Sequence, residues 1–300
     1  MKSNKPLGYY PGCSGLGTSV EYDKSTRIVA AALNIKLEDI KDWSCCGSTP
    51  AHTIDHGLST ALSARNFVQA EKQGLTDVVT PCPSCLKNLR TSLCRMKDPH
   101  VGPQAEKLLG NTLREEHTVK SVLQLIHEDI DRDVLKSHVS RPLTGLKVVP
   151  YYGCLMSRPA ELMQFGDPEN PMAMDDLLEA AGATVLPFPL KVECCGASMG
   201  IPLNEAVTRL SGKIVDLAFS LGADVIAVAC PLCQMNLDMR QGQIEKANHA
   251  KYNLPVMYYT QLLGLSFGLP EKELGLNKLV VDPKPVLAKL AGENKTEGAA

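Results

Sequence analysis

The chain has 300 residues, a formal charge of −2 and an apolar fraction of 44%. That length suits one large domain or two ordinary ones with cores of their own, and two is the starting expectation. The near-neutral, mildly acidic balance excludes the broad basic face that nucleic acid or anionic lipid requires, leaving proteins and small molecules as expected partners and no nucleic acid. No apolar run approaches the roughly 18 residues of a membrane span, and the opening stretch up to Cys13 lacks the apolar core of a secretory signal. A cytoplasmic location without direct membrane insertion is therefore expected. Eleven cysteines in such a compartment do not read as a disulfide framework, and the odd count leaves one over. Metal ligation or redox chemistry is the leading reading.

In chain order, the first landmark is Tyr9-Tyr10-Pro11-Gly12-Cys13, followed by Trp43-Ser44-Cys45-Cys46-Gly47 and a pattern of helical spacing over 58–73. A short β-branched run at 77–80 leads into Cys82-Pro83-Ser84-Cys85, whose proline suits the first position of a helix continuing through 86–93. After 117–126 comes a polar stretch around 130–145, and then the order starts again. A strand at 147–151 leads into Tyr151-Tyr152-Gly153-Cys154, matched here to the first tyrosine pair. Val192-Glu193-Cys194-Cys195-Gly196 precedes a helical pattern over 204–221. A strand at 224–229 leads into Cys230-Pro231-Leu232-Cys233, with a helix expected over 234–240, and 254–263 answers weakly to 117–126. Equivalent cysteines lie 141, 149 and 148 residues apart, as in a duplicated unit with loop-length drift. We expect an α/β fold of two tandem pseudo-symmetric α/β domains, each with a small, mostly parallel sheet and cysteine-bearing loops. Their bounds are 1–135 and 146–290, and the Gly/Glu/Lys-rich tail 291–300 is expected to be disordered. In such sheets sites gather on loops leaving the carboxyl ends of strands, where each cysteine landmark falls.

The cysteine intervals are Cys13-x31-Cys45-Cys46-x35-Cys82-x2-Cys85 and Cys154-x39-Cys194-Cys195-x34-Cys230-x2-Cys233. Thiolates favour iron–sulfur clusters, zinc and copper(I), so count and geometry must choose. A structural zinc site wants four ligands in a closed tetrahedron, and five thiols per half do not fit one zinc. Adjacent cysteines direct their side chains differently, which suits different irons of a cluster. The Cys-Pro-x-Cys step aims a helix N-terminus, with its free N–H groups and positive dipole end, at the thiols and favours thiolate over thiol. Gly47 and Gly196 are expected to let backbone pass close to the metal site. A lone Cys-x-x-Cys reads equally as a dithiol or a zinc pair; its repetition within a five-thiol pattern points to iron–sulfur ligation by all ten. Cys94 lies outside the pattern and is expected to be a small buried apolar residue.

These residues resemble the cysteine-rich CCG domain family, whose motif is Cys-x(31–39)-Cys-Cys-x(35–36)-Cys-x-x-Cys. Over residues 7–280 the chain resembles the B-type subunits of heterodisulfide reductase. The second repeat departs by one residue in its second interval, consistent with a loop deletion. The resemblance implies two noncubane [4Fe–4S] clusters. Cys13, Cys45, Cys46, Cys82 and Cys85 would hold one, and Cys154, Cys194, Cys195, Cys230 and Cys233 the other. It further implies that the clusters face a shared cavity, where a small-molecule or carrier-bound disulfide is reduced or reversibly formed. Implied partners are a cubane-cluster protein of the C type and a flavin-containing protein of the A type. The chain has no Cys-x2-Cys-x2-Cys-x3-Cys-Pro run and hence no ferredoxin-type wire of its own, which favours a multi-subunit oxidoreductase. The disulfide stays open between one of methanogenesis and one of sulfur metabolism. An alternative is a non-catalytic electron-transfer subunit of a quinone-, fumarate- or sulfur-carrier-linked complex; a zinc-stapled scaffold is a third.

His52 and His56, four apart beside the first cysteine pair, would share a face of one helix, making His52 a candidate catalytic proton donor. Lys191 and Arg158 are candidates for an anionic substrate group, with a solvated surface place as the default. Trp43, Tyr9, Tyr10, Tyr151 and Tyr152 flank the cysteine loops and are expected to shield them from water or to pack in the core. The apolar segment 258–269 is a candidate docking element, but its length argues for a core helix.

Overall fold

A computed structural model describes residues 5–297. Among these, eight short strands form two wholly parallel sheets. β1 (Leu7–Tyr9), β2 (Leu37–Asp39), β3 (Asp77–Thr80) and β4 (Thr118–Ser121) lie in the order β2-β1-β3-β4. β5 (Lys147–Tyr151), β6 (Thr184–Val185), β7 (Val225–Val228) and β8 (Val256–Tyr258) repeat it as β6-β5-β7-β8. The expected duplication is therefore a duplication of topology. β7 reads Val-Ile-Ala-Val with every residue buried, as a strand covered by helices on both faces must. In each sheet strand order reverses between the first and third strands, which opens a crevice beyond their carboxyl ends.

The strand register corrects one landmark. Tyr9 pairs with Val79 and Tyr151 with Val228. Thr80 and Val228 each precede the Cys-Pro-x-Cys turn by two residues, so Tyr151 is equivalent to Tyr10, not to Tyr9. The tyrosine pairs mislead because the second tyrosine of the second copy, Tyr152, stands where the first copy has Pro11.

The halves pack by exchanging equivalent helices. The first half's helix Val20–Ala32 lies on the second half's Tyr259–Ser266, and the second half's Ala173–Ala180 lies on the first half's Val122–Asp129. Tyr22 stacks on Tyr258 with ring centroids 4.0 Å apart, and Ser25 Oγ lies 2.7 Å from Thr260 Oγ1. The largest buried cluster accordingly runs through both halves, from Val29 and Ile126 to Val148 and Leu262. A smaller one around Phe67, Leu86 and Leu89 belongs mainly to the first half. Every residue of Tyr259–Ser266 is buried, so the apolar 258–269 segment is core and not a docking helix.

Two elements differ from expectation. The helix after Cys230 is a short turn, Pro231–Gln234, followed by a π-helical segment, Met235–Met239. Asp238 in that segment accepts hydrogen bonds from the Val280 and Val281 amides and from Gln234 Nε2. The C-terminal helix Lys284–Glu297 covers most of the expected tail, where glutamate and lysine are good helix formers as well as solvated residues. Residues 298–300 of that tail lie outside the described residues.

Candidate metal centre

Each half delivers its thiols from three strand ends. Cys13 follows β1, Cys45 and Cys46 follow β2, and Cys82 and Cys85 follow β3; β5, β6 and β7 do the same for the second set. The expected Cys-Pro-x-Cys geometry is present twice: Cys82 caps Pro83–Met96 and Cys230 caps Pro231–Gln234, with proline at the helix start. Three thiols of each set are buried, namely Cys46, Cys82 and Cys85, and Cys195, Cys230 and Cys233. Cys13 and Cys45 are exposed, while Cys154 and Cys194 are intermediate. Each site thus has a buried base and a more accessible rim, the rim cysteines of the first set being the more exposed. None of the eleven cysteines is joined in a disulfide.

The bases superpose bond for bond. Cys46 Sγ lies 3.6 Å from Cys85 Sγ, and Cys195 Sγ 3.7 Å from Cys233 Sγ. Asn88 Nδ2 donates to Cys46 Sγ at 3.6 Å and Asn236 Nδ2 to Cys195 Sγ at 3.4 Å. Ser63 Oγ donates to the Cys46 carbonyl and Ser211 Oγ to the Cys195 carbonyl, both at 2.8 Å. The Tyr10 and Tyr151 hydroxyls reach the carbonyls of Ser44 and Glu193, the residues just before each Cys-Cys pair. Tyr9 and Tyr152 turn away, Tyr9 to Asp23 and Tyr152 to Asp175. Trp43 meets Tyr10 edge-on at 5.4 Å. The cysteine motif does not single out these asparagines, although both stand three residues after the last cysteine of their repeat.

Hydrogen bonding sorts the thiols electrostatically. Cys195 is drawn down to about 7, chiefly by its hydrogen bond with Cys233, with burial opposing and Asn236 assisting. Cys46 is lowered in the same way, by Cys45 and then Cys85. Cys85 and Cys233 are pushed well up, by Cys46 and Cys195 respectively.

Glycines admit these sulfurs, but not the expected ones. A Cβ on Gly12 would sit 2.9 Å from Cys85 Sγ, and one on Gly153 2.7 Å from Cys233 Sγ, and both residues have positive φ. Gly47 and Gly196 instead turn the chain into the following helix, where a Cβ would meet Ala51 and Val207.

Other candidates fare differently. His52 and His56 do not share a helix: Ser48–Ile54 ends at Asp55, which caps the new helix His56–Glu71. His52 Nδ1 lies 3.1 Å from the Ser48 carbonyl. Lys191 is not at the surface; it is 6% exposed and its Nζ lies 2.9 Å from Asp175 Oδ1. Arg158 pairs with Glu169 at the surface. Cys94 is exposed, contrary to expectation, because Pro83–Met96 turns Leu86 and Leu89 inward and carries Cys94 on its other face.

Among the described residues, no group of three or more Cys, His, Asp or Glu side chains is disposed to hold a single metal ion. The donor set does fit a larger thiophilic group: five soft ligands, side-chain amide donors on Cys46 and Cys195, and backbone left without Cβ beside Cys85 and Cys233.

Comparison with known proteins gives the class. The profile of the cysteine-rich domain, CCG, matches residues 7–90 and 148–238, and the chain belongs to that family. It is 34% identical over 281 residues to the membrane anchor of the 8-methylmenaquinol:fumarate reductase of Wolinella succinogenes, covering 93% of this chain and 98% of that one. It is 30% identical to the B subunit of the ferredoxin:CoB-CoM heterodisulfide reductase of Methanosarcina mazei, covering 95% and 96%. A protein of Archaeoglobus profundus described as similar to the heterodisulfide reductase B subunit is 27% identical, covering 96% and 98%. In fold, the chain is similar to a hypothetical protein from Helicobacter pylori, with a TM-score of 0.74 at 13% identity, covering 94% of this chain and 53% of that one. No helix among the described residues is long and apolar enough to cross a membrane.

Proposed function

We propose that this chain is the iron–sulfur catalytic subunit of a heterodisulfide reductase-like complex, reducing or reversibly forming a disulfide between two noncubane [4Fe–4S] clusters. Cys13, Cys45, Cys46, Cys82 and Cys85 hold one cluster and Cys154, Cys194, Cys195, Cys230 and Cys233 the other. The observation that carries this reading is the same five-thiol arrangement at the crevice of two sheets of identical topology. When bound, such clusters supply one-electron redox chemistry and iron with affinity for sulfur. The protein's own part is to keep a buried base and to hold the thiolates by Asn88 and Asn236. His52 is our candidate proton carrier: a carbonyl only accepts, so its Nδ1 carries the hydrogen towards Ser48 and Nε2 is the remaining exchangeable nitrogen. The partners we assign are a cubane-cluster protein and a flavoprotein, in the cytoplasm.

The test is anaerobic reconstitution with iron and sulfide, followed by paramagnetic resonance with and without added thiols and by disulfide turnover with an artificial reductant. A thiol-induced cluster signal and turnover are expected; intact clusters without turnover would sink the catalytic reading. That outcome would favour the second reading, a non-catalytic electron-transfer subunit of a quinone- or fumarate-linked complex, which the 34% identity to a fumarate reductase component supports.

A further inference from the structure

A polar groove of about 1020 Å³ runs between the second half's helices Asn204–Ser220 and Gln241–Asn248. Its walls carry Arg209, Lys213 and Lys246, all exposed, and among the described residues none of the three has a hydrogen-bond or ion-pair partner. Arg240 lies against the same lining and donates to the neutral side-chain oxygens of Asn204 and Gln243. Of the two carboxylates in the walls, Asp216 already accepts from the Tyr252 hydroxyl at 2.8 Å, which leaves Glu205. A chain whose formal charge is −2 thus gathers a surplus of cations on one face. A neighbouring hollow shares Asn204, Glu205 and Arg209 with the groove and is walled by Ile201, Pro202 and Leu203, of which Ile201 is 94% exposed.

The first half closes the equivalent place. Ser63 and Ser211, which bond the Cys46 and Cys195 carbonyls, fix an offset of 148 between the copies (211 − 63). By that offset Arg209 and Asp216 answer to Ala61 and Val68, both buried where Val101–Leu109 packs along His56–Glu71. Lys213 answers to Arg65, which is paired with Asp42. The fold therefore does not require unpaired cations here. Their helix is also the one behind the second cysteine pair, since Ser211 holds the Cys195 carbonyl and Val207 lies against Gly196. A protein seated in the groove is separated from the Cys195 backbone by the thickness of that helix, about 10 Å.

We propose that this face seats an acidic protein partner, which lays carboxylates along the groove and an apolar residue against Ile201. That the partner is the one supplying electrons rests on the cluster reading above. A small anion would leave the apolar edge in water, and a nucleic acid or anionic membrane would meet the negative charge of the rest of the chain. Carboxylates facing Arg209, Lys213 and Lys246 speed encounter and are screened by salt, whereas the contact at Ile201 is not.

The probe is a small acidic ferredoxin, mixed anaerobically with the reconstituted full chain. Iron content, affinity at several salt concentrations and carbodiimide cross-links between ferredoxin carboxylates and the chain's lysines are read. Expected are cross-links at Lys213 and Lys246 but not at the exposed Lys107 and Lys136, and a wild-type affinity that falls with added salt. Joint substitution Arg209→Glu, Lys213→Glu and Lys246→Glu is expected to lower the low-salt affinity about 10-fold or more. Lys107→Glu, Lys136→Glu and Lys272→Glu together make the same change in net charge elsewhere and are expected to leave it within about twofold. Ile201→Ser is expected to lower affinity by the same factor at low and high salt. No binding at low salt, equal losses in the two triple variants, or cross-links spread evenly over the lysines would overturn the inference and leave the cluster reading intact. So would a groove variant that loses affinity for duplex DNA while keeping that for ferredoxin. Ferredoxin held at the groove of a chain that takes up no iron would uphold the docking face and overturn the cluster reading.

Discussion

At position 191 a lysine that local sequence leaves in water is buried against Asp175, whose other oxygen accepts from Tyr152 at 2.6 Å. Removing one partner of a buried pair strands the other charge. Lys191→Met is therefore expected to cost about 3–5 kcal/mol in urea denaturation, and Arg158→Ala, at an exposed pair, under about 1 kcal/mol. A Lys191→Met chain as stable as the Arg158→Ala chain would contradict the burial argument. Gly153→Ala tests the sulfur cradle: its Cβ would sit 2.7 Å from Cys233 Sγ. Because one of two sites is hit, iron content after reconstitution is expected to fall by about half. None of these roles shows in residue type alone: burial of Lys191 requires Asp175 to arrive from a helix 16 residues away.

Helix ends govern the first cysteine loop. Asp55 Oδ1 accepts from the Leu58 amide at 2.6 Å and starts a new helix, which is why the four-residue spacing of His52 and His56 does not put them on one face. Asp55→Ala is expected to lower stability by about 1 kcal/mol through loss of this cap, read as a lower melting temperature. Glu71, near the end of the same helix, accepts from the amides of Arg114 and Glu115 and meets His117 Nε2. Burial raises its pKa, but these three hydrogen bonds outweigh it and the carboxyl ends below its usual range. A lowered folded-state pKa contributes stability above the unfolded value and loses it as pH falls through the folded one. The stability advantage of the wild type over Glu71→Gln is thus expected to be full at neutral pH and to vanish in acid, below the ordinary carboxylate range. Titrating both chains with urea at several pH values checks this.

At the scale of the molecule, the exchange of helices between halves gives the two sheets one shared core. A single calorimetric transition is expected for the full chain, since neither half can unfold without exposing the other's apolar face. Residues 146–290 expressed alone are expected to bind a hydrophobic dye and melt without cooperativity. Two separate transitions would show independent cores, which is what length by itself suggests.

The repeated cysteine intervals, the Cys-Pro-x-Cys helix starts and the alternation of short apolar runs with helical patterns were legible because each is local or periodic. They specify parallel α/β units and point to the strand ends. Other features depend on pairings between segments far apart in the chain, which spacing does not encode. Register made Tyr10 the counterpart of Tyr151, and helix phase carried Cys94 outward. Packing within the second half buried Lys191 against Asp175, and packing between halves buried the helix Tyr259–Ser266. Sequence alone determined which thiols are candidate ligands; tertiary structure decided which of them are buried, and what faces them.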